Sequence, residues 1–144
     1  MPCRQWHLSG VLDQIQAEYG DQVRYVWRDY PVVTVESPLA AEAGQCAYDQ
    51  DRFWEYHAGL YANFGALDRQ SLKGLAAHLG MDAETFNRCL DSRQNAAKVA
   101  HSQSLAEQRG FSGPPGFLIN DTPFVGPPSY AQLKYLIDQE LLKQ

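Results

Sequence analysis

From Ser37 to Gly110 the sequence reads as almost unbroken helix, and the pattern on either side of that block is different. No other feature constrains the fold as tightly. Ser37-Pro38 supplies a cap followed by a proline at the first helical position, where its missing N–H costs nothing. Ala-rich sequence then runs through Cys46 toward Tyr61, and Asp51 offers a restart for a helix carrying Phe53, Trp54, Tyr56, His57, Leu60 and Tyr61. Asp68 and Asp82 each read as N-caps, with Leu67/Leu72 and Met81/Phe86 as the apolar staples around them. A further helix spans residues 95–109 and stops at Gly110.

Outside the block, helices and strands mix. Leu8, Val11, Leu12, Ile15 and Tyr19 recur at helical spacing and predict one helix over residues 2–19, ended by Gly20-Asp21. Val23 to Pro31 is rich in β-branched and aromatic residues and predicts a strand that Pro31 stops. Gly113-Pro114-Pro115-Gly116 marks a turn. Phe117-Leu118-Ile119 and Pro123-Phe124-Val125-Gly126 flank Asn120-Asp121 as a hairpin. Ser129 caps the last helix, Gln132 completes a capping box, and Tyr130, Leu133, Leu136, Ile137 and Leu141 form the buried stripe. The predicted order is helix, strand, helical block, hairpin, helix. It describes one α/β domain over residues 1–144 with a helical insertion at 37–110.

Composition excludes several functions. The net charge is -5 with no run of Lys or Arg, which argues against nucleic acid or an anionic membrane as partner. No apolar stretch approaches the ~20 residues of a membrane helix, and no signal-peptide pattern is present. No phosphate loop, dinucleotide fingerprint or Ser-His-Asp set occurs. His7, His57, His78 and His101 match no ligand template, and Cys3 with His7 makes only two ligands, so no metal is predicted. Trp6, Trp27, Phe53, Trp54 and Tyr56 read as core rather than as a cofactor box. The cysteines number 3. An odd count suggests a reactive thiol or a lost partner, and three buried free thiols is the plainer alternative. Cys3 stands in the first turn of a helix with Pro2 before it, the position of the second sulfur of a C-x-x-C redox pair.

Four segments resemble the DsbA-like thiol:disulfide oxidoreductases, and the resemblance covers the whole chain. Pro2-Cys3-Arg4-Gln5-Trp6-His7 is similar to the tail of the C-P-x-C-R-x-F-H active-site helix. Val23 to Pro31 is similar to the V-R-Y-V-x-R-D-x-P strand. Ala40-Ala41-Glu42-Ala43, Cys46-Ala47, Gln50 and Phe53-Trp54-Glu55-Tyr56-His57 resemble the first inserted helices. Gly110 to Asn120 resembles the cis-proline loop, usually G-V-x-G-T-P-x-F. The resemblance implies a thioredoxin-like fold and disulfide exchange with cysteine-containing substrate proteins in the periplasm or another extracytoplasmic space. It implies no cofactor beyond the cysteine pair, and reoxidation by a membrane redox partner. Cys3 is then the resolving thiol and Pro115 the cis-proline, with Gly113, Pro114 and Gly116 shaping the substrate loop and Arg4 and Pro2 modulating the redox site. Relatives with cysteines at the positions of Cys46 and Cys89 can bridge them, and two buried free thiols is the other reading. A bridge closing some 43 residues stabilises by ~4 kcal/mol on the chain-entropy model.

The sequence departs from that pattern in two ways. The attacking cysteine would fall immediately before Met1, and the strand that leads into the first helix is missing, as if a Cys-Met-Pro-Cys motif were entered at its methionine. With Cys3 alone the chain is expected to be inactive as a dithiol enzyme, and its open strand edges invite a homodimer. Pro114 stands where Thr or Val is usual, and it has no N–H to offer a substrate strand. Two further readings stay open: a non-catalytic binding or structural module, and a glutathione-linked or isomerase enzyme of the same fold. Asp29 or Glu42 is a candidate buried acid acting on Cys3, against the commoner roles of capping and surface pairing.

Overall fold

The computed structural model describes residues 2–143, with side chains from residue 4 onward. In chain order the elements are α1 (Pro2–His7), α2 (Val11–Tyr19), a 3-10 turn (Gly20–Gln22), α3 (Ser37–Tyr48), α4 (Phe53–Ala62), α5 (Arg69–His78), α6 (Ala83–Ser92), α7 (Ala96–Gln108), β1 (Gly116–Ile119), β2 (Thr122–Val125) and α8 (Tyr130–Leu141). They fall into two compact units. One is wholly helical and comprises residues 28–110; the other joins residues up to 27 with those from 111 onward.

The helical unit is built around α3. Its Ala40, Ala43, Cys46 and Ala47 are small, which lets neighbouring helices approach closely, and they share a core with Tyr56, Leu72, Ala76, Met81, Phe86, Cys89 and Leu90. Phe86 and Tyr56 are fully buried and pack with ring centroids 5.2 Å apart and planes tilted by 43°. The Tyr56 hydroxyl is buried as well and donates to the Leu72 carbonyl at 2.9 Å, which removes the penalty of an unmade bond. Both aspartate caps form: Asp68 accepts from the Gln70 and Ser71 amides, and Asp82 from the Thr85 amide. Ser37 behaves otherwise than expected. It is already the first residue of α3, and its hydroxyl turns back to accept from the Thr34 amide at 3.0 Å. Asp51 does not cap α4 either; it takes a left-handed φ of 58°, and Arg52 precedes the helix.

In the other unit, the helix expected over residues 2–19 is two helices. Gly10 adopts φ 76°, a left-handed geometry that glycine tolerates and that breaks the ladder between α1 and α2. The break leaves Leu8 half exposed and outside the core, while Ile15 and Tyr19 of α2 pack with Leu133 and Ile137 of α8. Ser129 and Gln132 make the reciprocal capping box that fixes where α8 starts. The antiparallel hairpin forms as expected, in the register Gly116↔Val125 to Ile119↔Thr122, with Asn120 at φ 53° in its two-residue turn. Residues 23–31 belong to no sheet, and among the described residues the only ladder is β1 with β2. Burial still alternates from Val23 to Trp27 as it does in a strand. The side-chain preference is therefore present, but a strand also requires a neighbour in register.

Candidate functional site

The loop that precedes β1 is held from several sides. The peptide bond between Pro114 and Pro115 is cis. The Pro115 carbonyl accepts from the Gly126 amide at 2.9 Å, which ties the loop to the far end of β2. Gly116 lies beneath the ring of Phe111. A Cβ added at Gly116 would sit 2.4 Å from Phe111 Cδ1, so only glycine lets the ring lie there. Gly113 is unlike it, since a Cβ there would meet nothing within 4 Å.

Helix α1 docks onto the same region through Trp6. Its ring meets Phe117 of β1 edge to face, with centroids 4.7 Å apart, and its Nε1–H donates to the Pro128 carbonyl at 2.5 Å. An aromatic pair of this geometry adds roughly 0.5–1.5 kcal/mol beyond the area it buries. One side chain thus fixes α1 against both the strand that leaves the cis bond and the loop that enters α8. His7 follows Trp6 and packs edge-on to Trp27 at 6.5 Å. Burial pushes the His7 imidazole below its ordinary 6.5, and the nearby Asp13 carboxylate only partly offsets this. No acidic residue lies in the first turn of α1, so no helix carboxylate there opposes a thiolate.

The predicted site residues are distributed as follows. Cys3 and Pro2 lie in the first turn of α1, and their side chains are outside the described residues. Arg4 is half-buried on the same helix. Gly113, Pro114 and Pro115 occur together in the loop before β1, and Gly116 is the first residue of that strand. Cys46 and Cys89 are joined by a disulfide, with Cα atoms 5.9 Å apart. The two candidate acids are both buried in the helical unit and both have partners there. Glu42 is gripped by Arg93 at 2.6 and 3.2 Å, and Asp29 accepts from Gln45 at 2.6 Å. His57 is buried and stacks on Phe53, while His78 and His101 are exposed. Among the described residues no group of three or more His, Cys, Asp or Glu side chains is placed to hold a metal ion. Sequence reasoning missed Phe111, Trp6 and Gly126 as builders of the loop. A glycine just after a proline pair, with an aromatic five residues before it, was the one local signal for the Phe111 contact.

Comparison with known proteins fits this arrangement. The sequence model of the thioredoxin family matches residues 1–139. The chain belongs to the thioredoxin family. Its structure superimposes on a thioredoxin-like oxidoreductase from Silicibacter pomeroyi DSS-3 with a TM-score of 0.83 at 26% identity, covering 97% of this chain and 79% of that one. The fold is therefore thioredoxin-like, and its mixture of helices with a small sheet is that of an oxidoreductase of this kind. The chain also resembles parts of longer proteins. It is 38% identical over 100 residues to Na(+)/H(+) antiporter NhaA 1 of Salinispora arenicola, covering 68% of this chain and 15% of the antiporter. It is 34% identical over 113 residues to Na(+)/H(+) antiporter NhaA of Herminiimonas arsenicoxydans, covering 78% and 18%. The chain thus spans less than a fifth of these antiporters. Among the described residues no helix is long and apolar enough to cross a membrane.

Proposed function

We propose that this thioredoxin-fold chain carries out DsbA-like thiol–disulfide exchange on extended, cysteine-containing segments of other proteins. Cys3 is the reacting sulfur and the Gly113–Gly116 loop is the substrate rest. The reading is carried by one observation: Trp6 clamps the helix bearing Cys3 onto the strand that follows the cis Pro114–Pro115 bond. Membership of the thioredoxin family supports it. The sequence has 3 cysteines, and two of them are bridged, which leaves Cys3 as the candidate nucleophile. Its thiolate attacks a substrate disulfide, forms a mixed disulfide and expels the second substrate sulfur as a thiolate. Exchange through Cys3 alone stops at that mixed disulfide, and a second thiol is needed to resolve it. The Pro115 carbonyl is engaged by Gly126, and Pro114 has no N–H, so substrate pairing relies on the remaining carbonyls of the loop. The Cys46–Cys89 bridge supports action in an oxidising, extracytoplasmic compartment, where a membrane redox protein would be the electron partner.

The test is trapping followed by turnover. Incubation with a peptide disulfide is expected to give one adduct, on Cys3, by intact mass and peptide mapping, with none in C3S. Insulin reduction is expected to be slow with this chain and to rise when a Cys-containing segment is fused ahead of Met1. Adduct formation without turnover in either form would identify a binding module. Strong preference for glutathione disulfide over the peptide would identify a glutathione-linked enzyme.

A further inference from the structure

The disulfide of the helical unit has polar neighbours. Cys46 on α3 and Cys89 on α6 are 1% and 6% exposed, so Cys89 offers the readier approach. The exposed carboxylate of Asp49, at the end of α3, places Oδ2 3.9 Å from Cys89 Sγ. A bridged sulfur carries no hydrogen, so this contact sets an anion beside a bare sulfur and is not a hydrogen bond. Two amides hold the carboxylate there: Gln94 Nε2 donates at 3.1 Å and Asn95 Nδ2 at 3.2 Å. The same Asn95 nitrogen lies 3.4 Å from Cys89 Sγ and 3.7 Å from Cys46 Sγ. A single buried asparagine therefore spans the carboxylate and both sulfurs.

We propose that Asp49 is an electrostatic guard that keeps the Cys46–Cys89 bridge out of thiol–disulfide exchange. An incoming thiolate forms a bond to one sulfur, the Cys46–Cys89 bond breaks, and the electron pair leaves on the other sulfur. Negative charge is spread over all three sulfurs in the transition state. Attack at Cys89 brings the anion up to Asp49. Attack at Cys46 expels the charge onto Cys89, beside the same carboxylate. Both routes build negative charge next to a fixed negative charge. Asn95 opposes this through its N–H dipole, but that amide is already engaged by Asp49. A full charge at about 4 Å also outweighs a shared dipole at a similar distance. The consequence is selectivity within one molecule: thiolates reach Cys3 and are turned away from the bridge. The inference holds whatever substrate Cys3 serves.

The test uses the oxidised full chain in a C3S background, so that only the bridge reacts. Its reduction is followed by alkylation and intact mass with two aliphatic thiols, cationic cysteamine and anionic 3-mercaptopropionate. Rates are expressed per thiolate and divided by those for a small neutral disulfide. Parent protein is expected to favour cysteamine by about tenfold at low salt, a preference that falls with screening at about 0.5 M salt. In D49N the preference is expected to shrink to about twofold or less, since the charge is gone while the side-chain shape remains. D49E is expected to restore it. If D49N merely loosens the helices, both thiols accelerate together and their ratio stays as in the parent. That result overturns the proposal, as does a parent with no preference.

Discussion

The two units of this chain are stabilised in different ways. The helical unit has a core of eleven buried residues, from Ala40 to Leu90. A disulfide between α3 and α6 crosses it, and the Glu42–Arg93 ion pair has its acid fully inside. Among the described residues, the unit that carries Cys3 and the cis-proline loop has four buried core residues, Ile15, Tyr19, Leu133 and Ile137. Partly buried apolar side chains, among them Trp6, Val11 and Ile119, pack around these, and nearer the surface Lys134 bonds Glu18 at 2.6 Å and the Tyr19 hydroxyl donates to Asp138 at 2.5 Å. The proposed chemistry thus resides in the lightly built unit, and the covalent and buried ionic links reside in the other. Loops and small elements at a site must admit a substrate, and regions with few buried contacts open most easily.

This contrast can be broken experimentally. The largest effect is expected from removing the bridge. C46A/C89A is predicted to lose ~4 kcal/mol, the entropy that closing a loop of about 43 residues takes from the unfolded chain. Hydrogen exchange should locate that loss in amides of residues 28–110; a uniform loss over the whole chain would count against separate stabilisation. Next comes the buried acid. Arg93 is 55% exposed and Glu42 only 2%. R93A strands a charge inside, whereas E42Q releases Arg93 to water, so R93A is expected to lower the urea midpoint more than E42Q. In the lighter unit, Y19F removes one hydroxyl bond to Asp138 and is expected to cost about 1 kcal/mol, read from exchange of α2 and α8 amides.

The smallest effect concerns acidity. Folding holds His7 below 6.5, the value at which the unfolded chain titrates. Between those two values the unfolded state binds more protons, so stability rises with pH across that window and is complete above 6.5. Urea midpoints measured from about pH 5 to 7.5 should therefore fall on acidification, and H7Q should remove that part of the slope.

Local signals in the sequence read well, and distant ones did not. The Asp68 and Asp82 caps and the Ser129–Gln132 box each depend on residues within three positions of one another, the hairpin on residues within nine, and each forms. The apolar repeat running through Gly10 predicted a single helix, and the break there rests on a backbone angle that the repeat does not report. Ser37 failed as a cap because Thr34 offered its hydroxyl a nearer amide. Residues 23–31 have strand-like side chains, yet a ladder is a property of two segments, and one segment cannot reveal it. The site divides along the same line. The proline pair and its glycines stand out in the sequence, while the contact of Trp6 with Phe117, 111 positions away, exists only after folding. The Cys46–Cys89 pairing stayed undecided for that reason too, since spacing along the chain does not report a 5.9 Å approach.

The loop glycines Gly113 and Gly116 are indistinguishable by eye in the sequence, yet they make opposite offers to anyone who would redesign the loop. Position 116 is closed by an aromatic lid. Position 113 faces open space with an ordinary backbone, so it can accept a new side chain, a spectroscopic reporter or a charge.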